Sequence, residues 1–312
     1  LIVATGAREL FLPFPGWTLP NVFGAGGLQA LVKGGLSVEN KKIVVAGTGP
    51  LLLAVADYLR SKGATILAIA EQTSQTKLNT FALGLWKSPA KAAQAIRLRS
   101  KLLGIPYLTD CWVKSAQGDD RLEWVTLVQK AKTWSVACDF LACGFHLVPN
   151  IELTSLLGCR IENGFVAVDE FQRTSCENIF CAGEPTGIGG VEKSLVEGEI
   201  AGFAAGNFQD EAMALFKQRE KARDFADRLN MAFTLREELR GLADGQTIVC
   251  RCEDVELGRL REFDSWRTAK LQTRCGMGAC QGRVCGAAAE FVFGWKVESV
   301  RPPIFPVKLE NL

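Results

Sequence analysis

Five cysteines crowd the C-terminal third of the chain: Cys250-Arg-Cys252, then Cys275-Gly-Met-Gly-Ala-Cys280-Gln-Gly-Arg-Val-Cys285-Gly286. Thiolates in groups of four on short glycine-rich turns suit a [2Fe–2S] cluster, whose two irons need four soft ligands while the backbone stays clear of the inorganic sulfides. Gly276, Gly278, Gly282 and Gly286 are placed to give that clearance. Five cysteines compete for four ligand places, and a four-cysteine zinc site or a disulfide stays open as an alternative for the same thiols. Spacing alone is not diagnostic, because four residues also separate Cys138 from Cys143 and Cys176 from Cys181. Those pairs stand in apolar, strand-like runs, where positions five apart point to opposite faces, so they read as small core residues.

A second chemical pattern lies at residues 42–71. Lys42-Ile-Val-Val-Ala-Gly47-Thr-Gly49-Pro-Leu-Leu52 reads as a strand and a glycine turn opening a helix, and the next strand ends at Glu71. Gly47 allows the tight turn, and Gly49 lets a pyrophosphate approach the helix N-terminus. Glu71 is placed to accept from ribose hydroxyls, which favours NAD or another adenine nucleotide over a 2′-phosphate. Leu52 stands where Gly or Ala is usual and is expected to crowd the helix against the strand. A vestigial nucleotide fold therefore stays open beside a working site. A third group is dispersed: Ala4-Thr5-Gly6, then Phe180-Cys-Ala-Gly183-Glu184 and Gly187-Ile-Gly-Gly190 before a helix over 191–205. An acid at such a strand end can bond a ribityl chain, while the helix start faces a pyrophosphate or flavin ring. His146 is the only histidine, and it reads as a packing or surface residue.

The elements that must position these residues follow from pattern. Residues 73–105 read as helical and basic-amphipathic, 107–139 as short strands with a turn at Gln117-Gly-Asp-Asp120, and 207–246 as a charged helical bridge. A helix is expected at Ala287–Phe293, with an extended tail through Arg301-Pro-Pro-Ile-Phe-Pro306. The chain has 312 residues, 48% of them hydrophobic and 22% charged, enough for two or three globular domains. A net charge of +2, with no long basic run, disfavours nucleic acid and gives no sign of an anionic membrane partner. No uninterrupted apolar run of about 18 residues is present, and no export signal, so the cytoplasm is the default and eleven cysteines point to metal or redox use. The opening Leu1-Ile-Val-Ala-Thr-Gly-Ala7 already reads as a buried strand, so the chain is expected to begin inside a domain.

The run of Ala-Thr-Gly, Gly-Thr-Gly-Pro-Leu-Leu-Leu, Phe-Cys-Ala-Gly-Glu, Cys-Arg-Cys-Glu-Asp, Thr-Arg-Cys-Gly-Met-Gly-Ala-Cys-Gln-Gly-Arg-Val-Cys-Gly and Arg-Pro-Pro-Ile-Phe-Pro-Val resembles a family of flavoprotein subunits: the B component of hydrogen cyanide synthase, the A component of opine oxidase and the alpha component of hydroxyproline/proline dehydrogenase. The resemblance implies an α/β flavoprotein with two Rossmann-like dinucleotide-binding domains, lacking the first FAD βαβ unit, and a small helical [2Fe–2S] domain of the bacterioferritin-associated-ferredoxin (BFD) type. The expected division is a partial FAD-binding domain at 1–39 and 136–206, an inserted NAD-like domain at 40–135, a helical linker at 207–248, the cluster domain at 249–294 and a tail at 295–312. It implies Cys250, Cys252, Cys280 and Cys285 as cluster ligands, with Cys275 at a place where a small residue often stands. It implies Thr5, Gly6, Gly183, Glu184 and Gly190 on the flavin side, FAD binding needing the absent N-terminal unit. The expected role is an electron-transferring oxidoreductase subunit with no acid–base or nucleophile set of its own. A partner flavoprotein of D-amino-acid-oxidase type would oxidise a C–N bond of an imino acid, opine or glycine in a hetero-oligomer, and electrons would pass on to a quinone or other acceptor, with a peripheral place at the inner membrane compatible. Two other readings stand beside it: a self-contained NAD(P)H-dependent flavin reductase, and a zinc-binding docking module on a degenerate flavoprotein scaffold.

Overall fold

Strands Lys42–Gly47 and Phe140–Gly144 are apolar along nearly their whole length because both of their faces are covered, with Val44, Val45, Ala46, Leu141, Ala142 and Cys143 at 0% exposure. They are the middle of a five-stranded parallel sheet in the order Val22–Gly24, Phe140–Gly144, Lys42–Gly47, Thr65–Glu71, Tyr107–Leu108. The computed structural model describes residues 1–297, 300–305, 307, 308 and 310. These form two units: residues 1–8 with 147–231 and the C-terminal tail, and residues 9–146 with 232–297.

In the second of these units, helix Leu51–Ser61 turns Leu52, Val55, Ala56 and Leu59 onto the sheet, where they meet Ile43, Val45, Ile69 and Phe140. Each fully buried Leu or Ile contributes about 2 kcal/mol of transfer free energy. Leu52 does not crowd this packing as its sequence position suggested. Its Cδ2 lies only 3.3 Å from where a Cβ on Gly144 would sit, so the clearance comes from glycine on the neighbouring strand. Gly47 (φ +139°) backs onto the same residue: a Cβ there would stand 2.0 Å from the Gly144 carbonyl oxygen. A three-stranded antiparallel sheet, Cys111–Gln117, Trp124–Gln129 and Lys132–Ala137, follows the parallel one. The expected helical stretch 73–105 resolves into Gln75–Gly84 and Pro89–Lys101, joined by a short turn.

The cysteine segment belongs to this unit. A hairpin of Ile248–Cys250 and Val255–Glu256 leads into helices Leu257–Leu260, Trp266–Thr273 and Cys285–Phe293, packed around Val249, Leu260, Trp266 and Ala289. Ser265 caps the middle helix through Thr268 N–H. Trp17, 2% exposed, donates its Nε1–H to the Ile248 carbonyl at 2.5 Å, and the Arg251 guanidinium lies 4.9 Å over its ring.

The other unit pairs Ile2–Val3 with Phe180–Cys181 in parallel and carries helices Val191–Ala205, Gln209–Ala214 and the start of Phe216–Ala232. Cys143 and Cys181 are fully buried, Cys138 nearly so, and Cys176 half-buried. The division differs from the sequence-based one. Residues 9–39 and 136–146, assigned there to a partial FAD half, lie with the NAD-like sheet, because Phe140–Gly144 is hydrogen-bonded between Val22–Gly24 and Lys42–Gly47. The bridge 207–248 is likewise split after Met231. Of the expected tail, residues 298, 299, 306, 309, 311 and 312 lie outside the described residues.

Gly47→Ala is expected to cost about 3 kcal/mol, since backbone has to shift to admit the new methyl group. Gly49→Ala, with nothing within 4 Å of its Cβ position and a strained φ of +94° as its only penalty, is expected to cost less. Urea unfolding of the two variants checks the order.

Candidate functional site

The turn after helix Trp266–Thr273 is opened by Arg274 in the left-handed conformation (φ +65°), which returns the chain toward the Ile248–Cys250 hairpin. As a result Cys250, Cys275 and Cys285, all buried, bring their Sγ atoms within 4.8 Å of one another. Cys280 extends the group through hydrogen bonds to Cys285 and Cys252, the latter exposed at the surface. Of the four ligands the resemblance implies, Cys250 and Cys285 stand in this close group with Cys275, while Cys280 and Cys252 adjoin it. The sequence reading omitted Cys275; the structure buries it at its centre.

Electrostatics within the array is uneven. Hydrogen bonds from the Cys275 and Cys285 thiols pull Cys250 far below the ordinary thiol range, helped by backbone N–H groups at Gly276 and Glu253. A hydrogen bond from Cys285 pulls Cys280 down to about 5, with backbone help at Val284 and Gly282. Donating to Cys250 pushes Cys275 up to about 12. Donating to Cys250, Cys275 and Cys280 raises Cys285 strongly. Cys252 gains a backbone hydrogen bond at Cys280, yet burial and the neighbouring Cys280 leave it raised. The shifts run in opposite directions across the array, because like charges this close repel and the thiols cannot all ionise together. Four soft donors ringed by backbone N–H groups fit a thiolate-bound metal centre, which would replace the bridging protons as the source of positive charge. Three of the glycines admit neighbouring side chains. A Cβ on Gly276 would strike the Trp266 ring at 2.6 Å, one on Gly278 the Cys252 Cβ at 2.2 Å, and one on Gly286 the Val297 side chain at 3.1 Å. They let protein pack on protein.

At the dinucleotide turn, Glu71 is fully buried at the end of its strand. Its carboxylate accepts from Gly49 N–H (2.7 Å), Thr48 Oγ1–H (2.8 Å) and Thr73 N–H (2.8 Å). Burial raises its pKa against these bonds. Gln72 Nε2 donates to Thr48 Oγ1 and to the Thr234 carbonyl, and Gln72 Oε1 accepts from Arg236 N–H at 3.1 Å. The Arg236 guanidinium reaches the Gln72 carbonyl (3.0 Å) and Asp110 (3.5 Å) and lies over Trp112. The turn amide and the acid that sequence reading offered to pyrophosphate and ribose thus satisfy each other, with the segment at 234–236 laid beside them.

On the flavin side, Thr5 Oγ1–H donates to the Asn150 carbonyl at 2.5 Å, and Gly6 adopts φ +68°. Gly183 and Gly190 are likewise left-handed, at φ +84° and +81°. Glu184 turns back, and its two oxygens accept from Gly189 and Gly190 N–H, each at 2.9 Å, at the start of helix Val191–Ala205. Beneath this turn is a charge cluster the sequence reading missed. Lys193 Nζ donates to Glu197 (2.8 Å), the Gly183 carbonyl (3.1 Å) and Thr186 Oγ1 (3.0 Å), while Glu197 also accepts from Gly183 N–H and from Arg223. Burial alone would raise the Glu197 carboxyl, but Lys193, Thr186 and Arg223 outweigh it and hold it below the usual range. A signal was available: 193 and 197 fall on the buried stripe of this helix with Val196, Ile200 and Ala204, where lone charges are costly unless paired.

Residues 1–198 match the family described as pyridine nucleotide-disulphide oxidoreductase. The chain is 31% identical over 315 residues to hydrogen cyanide synthase subunit HcnB of Pseudomonas protegens, covering 91% of this chain and 67% of that protein. It is 30% identical over 352 residues to the A subunit of opine oxidase from Rhizobium meliloti, covering all of this chain and 65% of that protein. It thus spans about two thirds of the length of these relatives. Among solved structures, L-proline dehydrogenase from P. horikoshii superposes over the whole chain and 58% of its own, with a TM-score of 0.62 at 17% identity, a likeness of fold.

Lys193→Met is expected to destabilise the fold by about 3 kcal/mol, because Glu197 loses its nearest buried partner. Glu197 has a folded pKa below its unfolded value, so its contribution is present above the unfolded carboxylate pKa and is lost as pH falls through the folded one. Glu197→Gln should therefore flatten the acid limb of a stability–pH curve measured by urea unfolding, while leaving its shape above neutrality unchanged.

Proposed function

Since this chain belongs to the pyridine nucleotide-disulphide oxidoreductase family, alongside HcnB and the A subunit of opine oxidase, we propose that it is the electron-transferring subunit of a multi-subunit dehydrogenase acting on a C–N bond. The name of opine oxidase supplies one substrate class, an opine; an imino acid or an amino acid such as glycine stands beside it as what the sequence resemblance implies. A partner flavoprotein of D-amino-acid-oxidase type would take the substrate's two electrons, and this chain would pass them toward a quinone or another acceptor. The observation that carries this reading is the thiol array, in which Cys250, Cys275 and Cys285 bring their Sγ atoms within 4.8 Å of one another.

Cys250, Cys252, Cys280 and Cys285 would hold a [2Fe–2S] cluster, which when bound supplies one-electron storage. Cys250 and Cys280, whose thiols are pulled down by their neighbours, would give up their protons most readily as ligands. Cys252 and Cys285 would release their protons on binding. Cys275, buried against Cys250, stays protonated and donates to its sulfur, a hydrogen bond of the kind that tunes a cluster's potential. Trp266 and the Cys285–Phe293 helix keep bulk water from the inner side. Thr5, Gly6, Gly183, Glu184 and Gly190 would line the flavin, with Glu184 exchanging its grip on Gly189 and Gly190 for the cofactor. Substrate chemistry is assigned to the partner protein. The buried Glu71 network weighs against a self-contained NAD(P)H reductase; fast flavin bleaching by NADH would restore that reading.

Electron paramagnetic resonance of the anaerobic, dithionite-reduced protein, with iron, zinc and labile sulfide assayed on the same sample, tests the proposal. About two irons and two sulfides per chain with a reduced [2Fe–2S] signal are expected. Cys280→Ser should lose most of that signal, whereas Cys275→Ala should keep the iron and shift the midpoint potential. A silent spectrum with stoichiometric zinc would overturn it in favour of a zinc-bound docking module.

A further inference from the structure

Two cysteines outside the array meet in the small apolar core formed by Val3, Val166 and Cys181, within the unit that holds residues 147–231. Helix Glu152–Leu156 ends in a turn with Gly158 left-handed (φ +81°), and Cys159 N–H closes that turn on the Thr154 carbonyl at 2.9 Å. A second tight turn presents Cys176: Thr174 N–H donates to the Ile179 carbonyl at 2.9 Å, and Ile179 N–H to the Cys176 carbonyl at 3.3 Å. The two turns are stitched side by side. Arg160 N–H donates to Ser175 Oγ at 2.8 Å, Cys159 Sγ–H to Thr174 Oγ1 at 3.5 Å, and Cys176 Sγ–H to the Leu157 carbonyl at 3.5 Å. Sequence spacing groups Cys176 with Cys181, whereas the fold sets the Cys176 thiol against that of Cys159.

The two thiols differ in access. Cys159 is 5% exposed, while Cys176 is only half-buried. Burial pushes the Cys159 pKa up, and the adjoining Cys176 thiol adds to the rise. A small reagent can therefore reach one sulfur but not the other, and the shielded one stands next to the first. Two-step thiol–disulfide exchange needs this asymmetry: an open sulfur to form the mixed disulfide and a neighbour to resolve it. The hydrogen bonds that both thiols give up are weak, so little opposes the change. Cys111 and Cys138 make the contrast, since burial raises each to about 12 and they serve as packing.

We propose that Cys159 and Cys176 are a redox-active dithiol, oxidised to an intramolecular disulfide by exchange with a low-molecular-weight disulfide. The Cys176 sulfur, as thiolate, attacks the small molecule's S–S bond, joins one of its sulfurs and expels the other as a thiolate. Cys159 then loses its proton to that thiolate and attacks the Cys176 sulfur, releasing the second small thiol. Two protein thiols are oxidised to one disulfide, and one small disulfide is reduced to two thiols. The new bond closes a loop around the hairpin Ile161–Val166 and the turn at Asp169, just ahead of strand Phe180–Cys181. None of this depends on what the array binds.

Equilibration of the purified full chain in buffers of rising oxidised-to-reduced glutathione ratio, followed by alkylation and peptide mass mapping, tests the proposal. Most chains should carry Cys159 joined to Cys176 in the most oxidising buffer, and dithiothreitol should restore both thiols. Cys159→Ser should stop at glutathione on Cys176, raising that species at least about tenfold over the unaltered chain. Cys176→Ser should leave Cys159 unmodified, and Cys280→Ser, which alters the array, should leave the cross-link unchanged. Alkylation of both thiols in the most oxidising buffer would overturn the proposal. So would glutathione retained on Cys176 of the unaltered chain, or a cross-link from Cys176 to Cys181.

Discussion

Glycine-rich turns leave backbone N–H groups pointing outward at helix starts, and these must find acceptors. In this chain the acceptor is repeatedly an internal glutamate. Glu9 takes the N–H groups of Gly26 and Gly27 at 2.7 and 3.0 Å, Glu71 takes that of Gly49, and Glu184 takes those of Gly189 and Gly190. Helix-terminal donors and dipoles favour a negative charge whatever its source, so a carboxylate on the chain answers the same need as a phosphate on a ligand. Each turn thereby becomes a closed local unit. The consequences spread outward: the Glu71 network ties Gln72 to the 234–236 segment, and Glu184 fixes the start of the helix that carries Lys193 and Glu197.

Much of the architecture was legible in the sequence, because strands covered on both faces and amphipathic helices leave direct periodicities. The alternation at 42–71, the antiparallel strands within 107–139 and the helix at 285–293 appear where the pattern puts them. What did not show was pairing across long separations. Nothing local in Phe140–Gly144 says that it lies between Val22–Gly24 and Lys42–Gly47, so the segment was assigned to the other half. The fit of Leu52 was hidden for the same reason, since the space it uses is created by Gly144, 92 positions away. Partner choice was also illegible: Glu71 and Glu184 were recognised as acids near glycine turns, but a ligand hydroxyl and a backbone amide are equally good partners on paper.

The cysteine array shows the limit of motif spacing from another side. The resemblance left Cys275 out of the ligand set, yet three-dimensional closeness groups it with Cys250 and Cys285, and the three thiols shift one another's protonation. In a tight group of thiols, protonation belongs to the group and not to each member. Ligand identity and proton distribution are then separate questions, and spacing in the sequence answers neither.

Trp17 brings out a consequence of a different kind. It fastens the Ile248–Cys250 strand to the loop that enters the parallel sheet, and Arg251, lying between two of the thiols in sequence, stacks on its ring. A one-electron carrier is fast when its surroundings rearrange little between charge states. Holding the thiol-bearing strand at both a backbone carbonyl and a guanidinium, with the indole itself out of water, restricts that rearrangement. For the electron-transfer role proposed above, the anchor of one aromatic ring would keep outer-sphere reorganisation small in a segment otherwise built of turns.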